Sequence, residues 1–246
     1  MITIRTAAPE ELPQLRDLWR KCFGDPGAYV DIFFQKFCSI DQVLVVDDDG
    51  EVGSMAAMLP GAIQLPDGTE VPVGYVYALA TNPYMQGKGH ARQLLRYADD
   101  FLQKRGDKAM VLVPASPSLH RFFEAVGMDE CFATRKVEIL TSALSGDTGG
   151  GVMTPVSPRE YNEIREGYLK NTFHMTYTDQ MISFQQIGSH LARLCIVAGA
   201  TARSRGAVVL AVGFGGLLAG DTRRAGRGCI GLGQRRDQSG HRIIRR

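Results

Sequence analysis

The 246 residues contain no Cys-x-x-Cys pair and no histidine cluster, so neither a disulfide framework nor a zinc site is indicated, and no metal is expected. The cysteines (Cys22, Cys38, Cys131, Cys195 and Cys229) are odd in number and scattered; they read as small buried hydrophobes in a reducing compartment. The most apolar uncharged run, residues 206–220, falls short of the roughly 20 residues of a membrane span and is rich in glycine, so no membrane partner is expected. No secretory leader is visible: the chain runs from ITIRTA straight into the acidic Pro9-Glu10-Glu11, and the expected location is the cytoplasm. With 44% hydrophobic and 22% charged residues, what remains is a globular protein of one large or two small domains.

The last quarter lacks more. From residue 188 onward there is no Glu, Lys, Pro, Tyr, Asn or Met, and Phe214 is the one aromatic residue among 12 glycines. Residues 187–246 carry 11 arginines against Asp221 and Asp237, whereas residues 1–186 carry 17 basic against 24 acidic side chains. The formal charge of +2 therefore conceals two chemically different sequences. Three readings of the tail compete. A basic nucleic-acid arm would want lysine and interleaved aromatics; a solvated disordered extension sits badly with the apolar run near Val208. The preferred reading is a second domain interrupted here, since G/C-rich codons read out of frame yield Gly, Ala and Arg. Nucleic acid is accordingly not an expected partner.

What is present is concentrated in residues 79–95, LATNPYMQGKGHARQLL. An apolar, β-branched and aromatic run over 71–81 predicts a buried strand. Asn82-Pro83 makes a turn, and a loop with Gly87 and Gly89 opens a helix whose apolar face is Ala91, Leu94, Leu95, Ala98, Phe101 and Leu102. Gly106 ends it, and residues 109–114 start another buried strand. A glycine loop opening a helix gathers unpaired backbone N–H groups and the positive end of the helix dipole at one spot, which suits a phosphate or diphosphate. The alternative is a βαβ unit whose glycines merely turn the chain. A Walker loop is excluded because Gly89 follows Lys88, and a dinucleotide fingerprint because Arg92 stands in place of its third glycine.

Around this loop, residues 1–140 predict a β-α-α-β-β-β-α-β-α-β-β order. A strand over 2–6 precedes helices over 9–22 and 26–37, and strands over 43–47 and 52–65 join at Asp48-Asp49-Gly50. A helix over 117–126 ends at Gly127, and one or two strands follow over 131–140. Residues 141–158 have linker composition, and helices are predicted over 160–170 and 177–187, the second with Met181, Phe184 and Ile187 on one face.

Gln86-Gly87-Lys88-Gly89-His90-Ala91 fits Gln/Arg-x-x-Gly-x-Gly/Ala, and with the element order and Phe122 to Met128 it resembles the GNAT superfamily of acyl-CoA-dependent N-acyltransferases over residues 1–140. The resemblance implies an α/β GNAT fold, a mixed central sheet flanked by helices, followed by a partial second domain. It divides the chain into an acyltransferase domain (1–140), a linker (141–158), a helical start of a degenerate second domain (159–187) and an atypical tail (188–246). That layout is similar to two-domain members of the enhanced-intracellular-survival type.

The resemblance further implies transfer of an acetyl group from acetyl-CoA to an amine, borne by a small molecule or a peptide. Backbone N–H groups of Gln86, Gly87, Lys88, Gly89, His90 and Ala91 would take the diphosphate, with charge from Lys88 and Arg92, although these side chains also read as solvated surface. His90 is expected to matter through its backbone. Main-chain groups of Leu79, Ala80 and Thr81 would pair with the pantetheine arm. Many members have a proton-donating tyrosine where this chain has Phe123, which carries no transferable proton; Tyr75, Tyr77, Ser116, Ser118 or water is left for that task. Tyr77 is the catalytic candidate, with core packing as its other reading. The segment 114–117 reads as an acceptor-site wall or as a helix start with Ser116 as cap. Direct attack without an acyl-enzyme is expected because no cysteine lies in the cleft-forming segments. Two rivals remain: a CoA-binding module that has lost catalysis, and an interaction protein using the basic tail. Oligomeric state is open.

Overall fold

The computed structural model describes residues 1–132, 155–191 and 241–244, of which 189–191 and 241–244 are described by backbone alone. Strand β1 (Ile2–Thr6) leads through a 3-10 turn into α1 (Leu12–Phe23), which buries Leu15, Leu18 and Trp19. Helix α2 (Gly27–Ile32) runs on into a π-helical turn, Phe33–Phe37, and the pair buries Tyr29, Val30 and Phe33. Strands β2 (Val43–Asp48) and β3 (Glu51–Gln64) form the hairpin expected at Asp48-Asp49-Gly50. Strand β4 (Glu70–Thr81), α3 (His90–Arg105), β5 (Ala109–Leu112), the short α4 (His120–Glu124) and β6 (Met128–Phe132) follow. Then come α5 (Pro158–Leu169), β7 (His174–Thr176), α6 (Asp179–Leu191) and β8 (His241–Ile244).

The sheet order is β1-β2-β3-β4-β5-β8-β6, and β4 and β5 run parallel while the other neighbours are antiparallel. Alternation along the strands gives the sheet two apolar faces, as the period of two requires. On β2, Val43 and Val45 join one core with α1, α2, α5 and α6, while Leu44 and Val46 join the other with α3 and α4. The expected strand beyond Phe132, over 133–140, lies outside the described residues; the place beside β5 is taken by β8. The linker from 141 to 154 and most of the tail also lie outside them.

Two findings were not anticipated. Strand β7 pairs with the far end of β3, Ile63 opposite Met175, and with α6 it places Met175, Tyr177, Met181, Ile182 and Phe184 in the same core as Trp19 and Phe33. Helix α6 also runs past its predicted end at 187, to Leu191.

Strand β4 carries the feature that shapes the cleft. Val73, Tyr75 and Tyr77 face the first core, but Ala78 packs against it too and Leu79 against the other, so one residue has been inserted into the alternation before Ala80. The register against β3 slips at the same point, and Ala78 has φ 51°, a left-handed conformation that costs a non-glycine residue about 1–2 kcal/mol. Pairing of β4 with β5 covers Val73, Gly74 and Tyr75 only. Beyond the bulge, no described strand lies on the β5 side of β4.

Among the described residues no helix is long and apolar enough to cross a membrane, and no group of three or more His, Cys, Asp or Glu is placed to hold a metal.

Candidate active site

The bulge of β4 and the start of α3 border one cleft of about 1020 Å³. At one end lie Gln86, Gly87, Gly89, His90, Ala91 and Arg92, so six of the seven residues predicted to serve the diphosphate come together. Gly87 and Gly89 have φ of 82° and 81°, which glycine alone adopts without strain. A Cβ built on Gly87 would meet nothing within 4 Å, so the loop is open on that side. Gly89 is the N-cap of the 16-residue α3 and supplies no capping side chain, which leaves the first-turn N–H groups unclaimed. An anion such as a diphosphate fits that geometry.

The seventh residue, Lys88, does not line the cleft. Its ammonium lies 3.0 Å from Asp48 at the end of β2, which anchors the loop from outside and holds the Asp48 carboxyl below the usual range. His90 is buried against the gap left by Gly53, where a Cβ would fall 2.8 Å from its Nδ1. Neither ring nitrogen has a hydrogen-bond partner among the described residues, although Nε2 lies 3.8 Å from Asp48. The ring is thus packed into the fold at the first residue of α3.

Leu79, Ala80 and Thr81 line the middle of the cleft, where the bulge frees the β4 edge. The Ser54 hydroxyl donates to Ala80 O at 2.7 Å, and Asn82 N donates to Gly53 O, so the end of β4 is held against β3 while its other edge stays open. Cys22, from the last turn of α1, also lies here, which overturns the expectation that no cysteine borders the cleft. Its Sγ is 3.4 Å from Thr81 O, to which it donates, and burial pushes the thiol up from its ordinary pKa. Such a thiol is not activated as a nucleophile.

The other end is aromatic. Trp19, Tyr29, Tyr77 and Phe184 line it, and the hydroxyls of Tyr29 and Tyr77 are 2.7 Å apart. Burial pushes both phenols well above their ordinary pKa, so both stay protonated. Tyr77 packs in the first core and also lines the cleft. Tyr75 also lines the cleft, but Ser116 and Ser118 do not; their hydroxyls bond each other at 2.8 Å, and Ser116 does not cap the turn that Pro117 opens. Val113 and Ala115 supply the wall on that side, and Phe123 lines it from α4.

Asp25 was not anticipated. It follows Gly24, which ends α1, and lines the aromatic end of the cleft. Trp19 Nε1 donates to its Oδ2 at 2.7 Å, its Oδ1 is buried without a partner, and desolvation raises its carboxyl pKa. The acidic side chains of the β2–β3 hairpin lie elsewhere: Asp47 pairs with Arg5, Asp48 with Lys88 and Asp49 with the N-terminus, and none lines the cleft.

A family model described as an acetyltransferase (GNAT) domain matches residues 3–125, half of the chain. The chain belongs to the GNAT acetyltransferase family. Its mixed, helix-flanked sheet is the GNAT fold. No curated protein matches the sequence. Among solved structures, Eis1 from Mycobacterium abscessus is similar in fold, with 15% identity and a TM-score of 0.57 over 78% of this chain and 48% of that one. A GCN5-related N-acetyltransferase from Anabaena variabilis is 23% identical, with a TM-score of 0.45 over 55% of this chain and 33% of that one. The GNAT family N-acetyltransferase YhbS from Escherichia coli, solved with CoA, is 26% identical, with a TM-score of 0.42 over 52% of this chain and 68% of that one. The matches thus span about a third of the Anabaena chain and about half of the Mycobacterium chain.

Proposed function

We propose that this GNAT protein transfers an acetyl group from acetyl-CoA to a cationic amine by direct attack. The observation that carries the reading is one cleft bordered by a vacant-edged strand, an open glycine loop and a half-buried carboxylate. Bound acetyl-CoA supplies the acyl group as a thioester. Its diphosphate would lie on the N–H groups from Gly87 to Ala91, with Arg92 adding charge, and Leu79 to Thr81 would offer backbone groups to the pantetheine arm. The Asp25 carboxylate accepts from the ammonium and fixes its place; loss of one proton to water frees the attacking lone pair, and Tyr77, hydrogen-bonded to Tyr29, protonates the departing sulfur and recovers a proton from the acylated nitrogen. The raised pKa of the Cys22 thiol supports attack by the amine itself rather than through an acyl-enzyme.

The same proposal extends to organisation: an acyltransferase domain over 1–140, a linker over 141–158, and over 159–187 the beginning of a degenerate second half of the Eis type, with 188–246 as an atypical tail. The fold likeness to Eis1 over 78% of the chain supports that reading. A cytoplasmic location is part of the proposal.

Phe123, buried on the cleft where many relatives have a tyrosine, favours a second reading, a CoA-binding module without turnover. Calorimetry with CoA and acetyl-CoA, followed by steady-state thiol release over an amine panel, tests both. Saturable binding with turnover supports the enzyme, binding without turnover the lapsed module, and absence of binding on folded protein removes both.

A further inference from the structure

The His90 imidazole, at the first residue of α3, is 1% exposed, and neither of its nitrogens has a hydrogen-bond partner among the described residues. An apolar side chain would fill that space without the cost of an unpaired polar ring, so the imidazole calls for a state in which it is paired. The ring is held in place behind the glycine loop. It fills the space over Gly53, where a Cβ would come 2.8 Å from Nδ1, and Gly53 O takes the N–H of Asn82 at 2.9 Å. Its Nε2 lies 3.8 Å from Asp48 Oδ2, the same oxygen that takes the Lys88 ammonium at 3.0 Å. A shift of about 1 Å would turn that approach into a hydrogen bond.

The charges around the ring come from four elements. Asp48 ends β2, Glu51 opens β3 and accepts from Asn82 Nδ2 at 2.9 Å, Lys88 stands in the loop, and Arg92 follows on α3. Asp47 is engaged by Arg5 and Asp49 by the N-terminus. Before a ligand binds, a positive charge on His90 would meet the positive end of the α3 dipole and the Lys88 ammonium, and burial would penalise it further. A diphosphate on the loop amides reverses that field on one side of the ring, while the Asp48 carboxylate offers a partner on the other.

We infer that His90 is a charge-responsive cofactor residue: its ring takes up a proton from solvent as the diphosphate docks, and the imidazolium donates from Nε2 to Asp48. CoA binding is then proton-linked, with one proton gained on binding and returned on release. The loop holds its ligand by a side chain behind it as well as by the amides in front. The inference rests on the diphosphate reading of the glycine loop.

The test is calorimetry on the full chain with 3′-dephospho-CoA, which keeps the diphosphate but lacks the phosphomonoester that itself titrates near neutrality. Comparing buffers of low and high ionisation enthalpy counts the protons exchanged. At about pH 7.5 the unaltered protein should take up about half a proton or more per site, and its affinity should fall as pH rises, because binding that consumes a proton is opposed when protons are scarce. His90→Gln removes the titrating ring and should bring uptake close to zero and level the pH profile. Asp48→Asn keeps the ring but removes the charge of its partner, and should lower uptake at least about two-fold. Saturable binding without uptake by the unaltered protein overturns the inference and leaves the diphosphate site standing. Uptake that persists in H90Q, or that is unchanged in D48N, overturns it too. Absence of binding by folded protein removes the diphosphate site and this inference together.

Discussion

At the residue scale, the cleft divides labour between a carboxylate that orients and a phenol that holds a proton. Asp25→Asn keeps the shape and the bond from Trp19 but removes the charge. With the preferred amine, KM should rise about ten-fold while the affinity for acetyl-CoA is unchanged, and a matching loss of acetyl-CoA binding would place Asp25 elsewhere in the chemistry. Tyr77→Phe removes the proton and should lower kcat at least ten-fold with little change in acetyl-CoA affinity. Unaltered kcat in that variant would leave water as the proton source. Both residues illustrate what a sequence can and cannot disclose. Tyr77 was nameable because it lies on the strand that leads into the glycine loop. Asp25 lies 52 positions before Tyr77 along the chain, in a turn with no motif around it, and only folding brings the two to one wall. Cys22 escaped for the same reason, and Phe184 stands on a helix that the sequence placed beyond the linker.

At the element scale, helices and strands with long apolar periods were readable, and their ends differ from prediction by only a few residues. The β4 bulge was not readable, because alanine gives no signal of positive φ in the way glycine does. Nor was β7, three residues long and specified by its pairing with β3 rather than by propensity. The α3 start, which was read correctly, predicts that Gly89→Val costs about 1–2 kcal/mol of stability by forcing a branched side chain to positive φ. The same variant should weaken CoA binding measured by calorimetry on the folded fraction, because the loop amides would be re-aimed. A second element-level tie is electrostatic. Arg5 on β1 reaches Glu11 before α1 at 2.8 Å and Asp47 on β2 at 2.7 Å, and its hydrogen bonds hold both carboxyls below their ordinary range. Depressed carboxylates stabilise the fold fully above the unfolded carboxylate range, and that contribution is lost as pH falls through the folded values. Tm should therefore decline from about pH 5 to about pH 3, and Arg5→Met should flatten that decline. Asp25 works in the opposite direction, since its raised pKa favours the fold as it becomes protonated, so it can only blunt the acid loss.

At the scale of the whole molecule, residues beyond the linker contribute to the first core. Phe184 packs against Tyr29, Phe33 and Phe37, residues some 150 positions earlier, and β7 extends the sheet that β3 begins. Phe184→Ala should cost about 3–5 kcal/mol and shift the entire unfolding transition, not a late or early part of it, when followed by far-UV circular dichroism. Two separated transitions would mean that α6 and the N-terminal helices unfold independently. Fluorescence supplies the second probe for that experiment. Trp19 is the one tryptophan of the chain, its indole N–H is tied to the carboxylate on the cleft wall, and it is 1% exposed. Indole emission from unlabelled protein therefore originates at one known spot, so an amine docking beside that ring would register as a change in its colour or brightness.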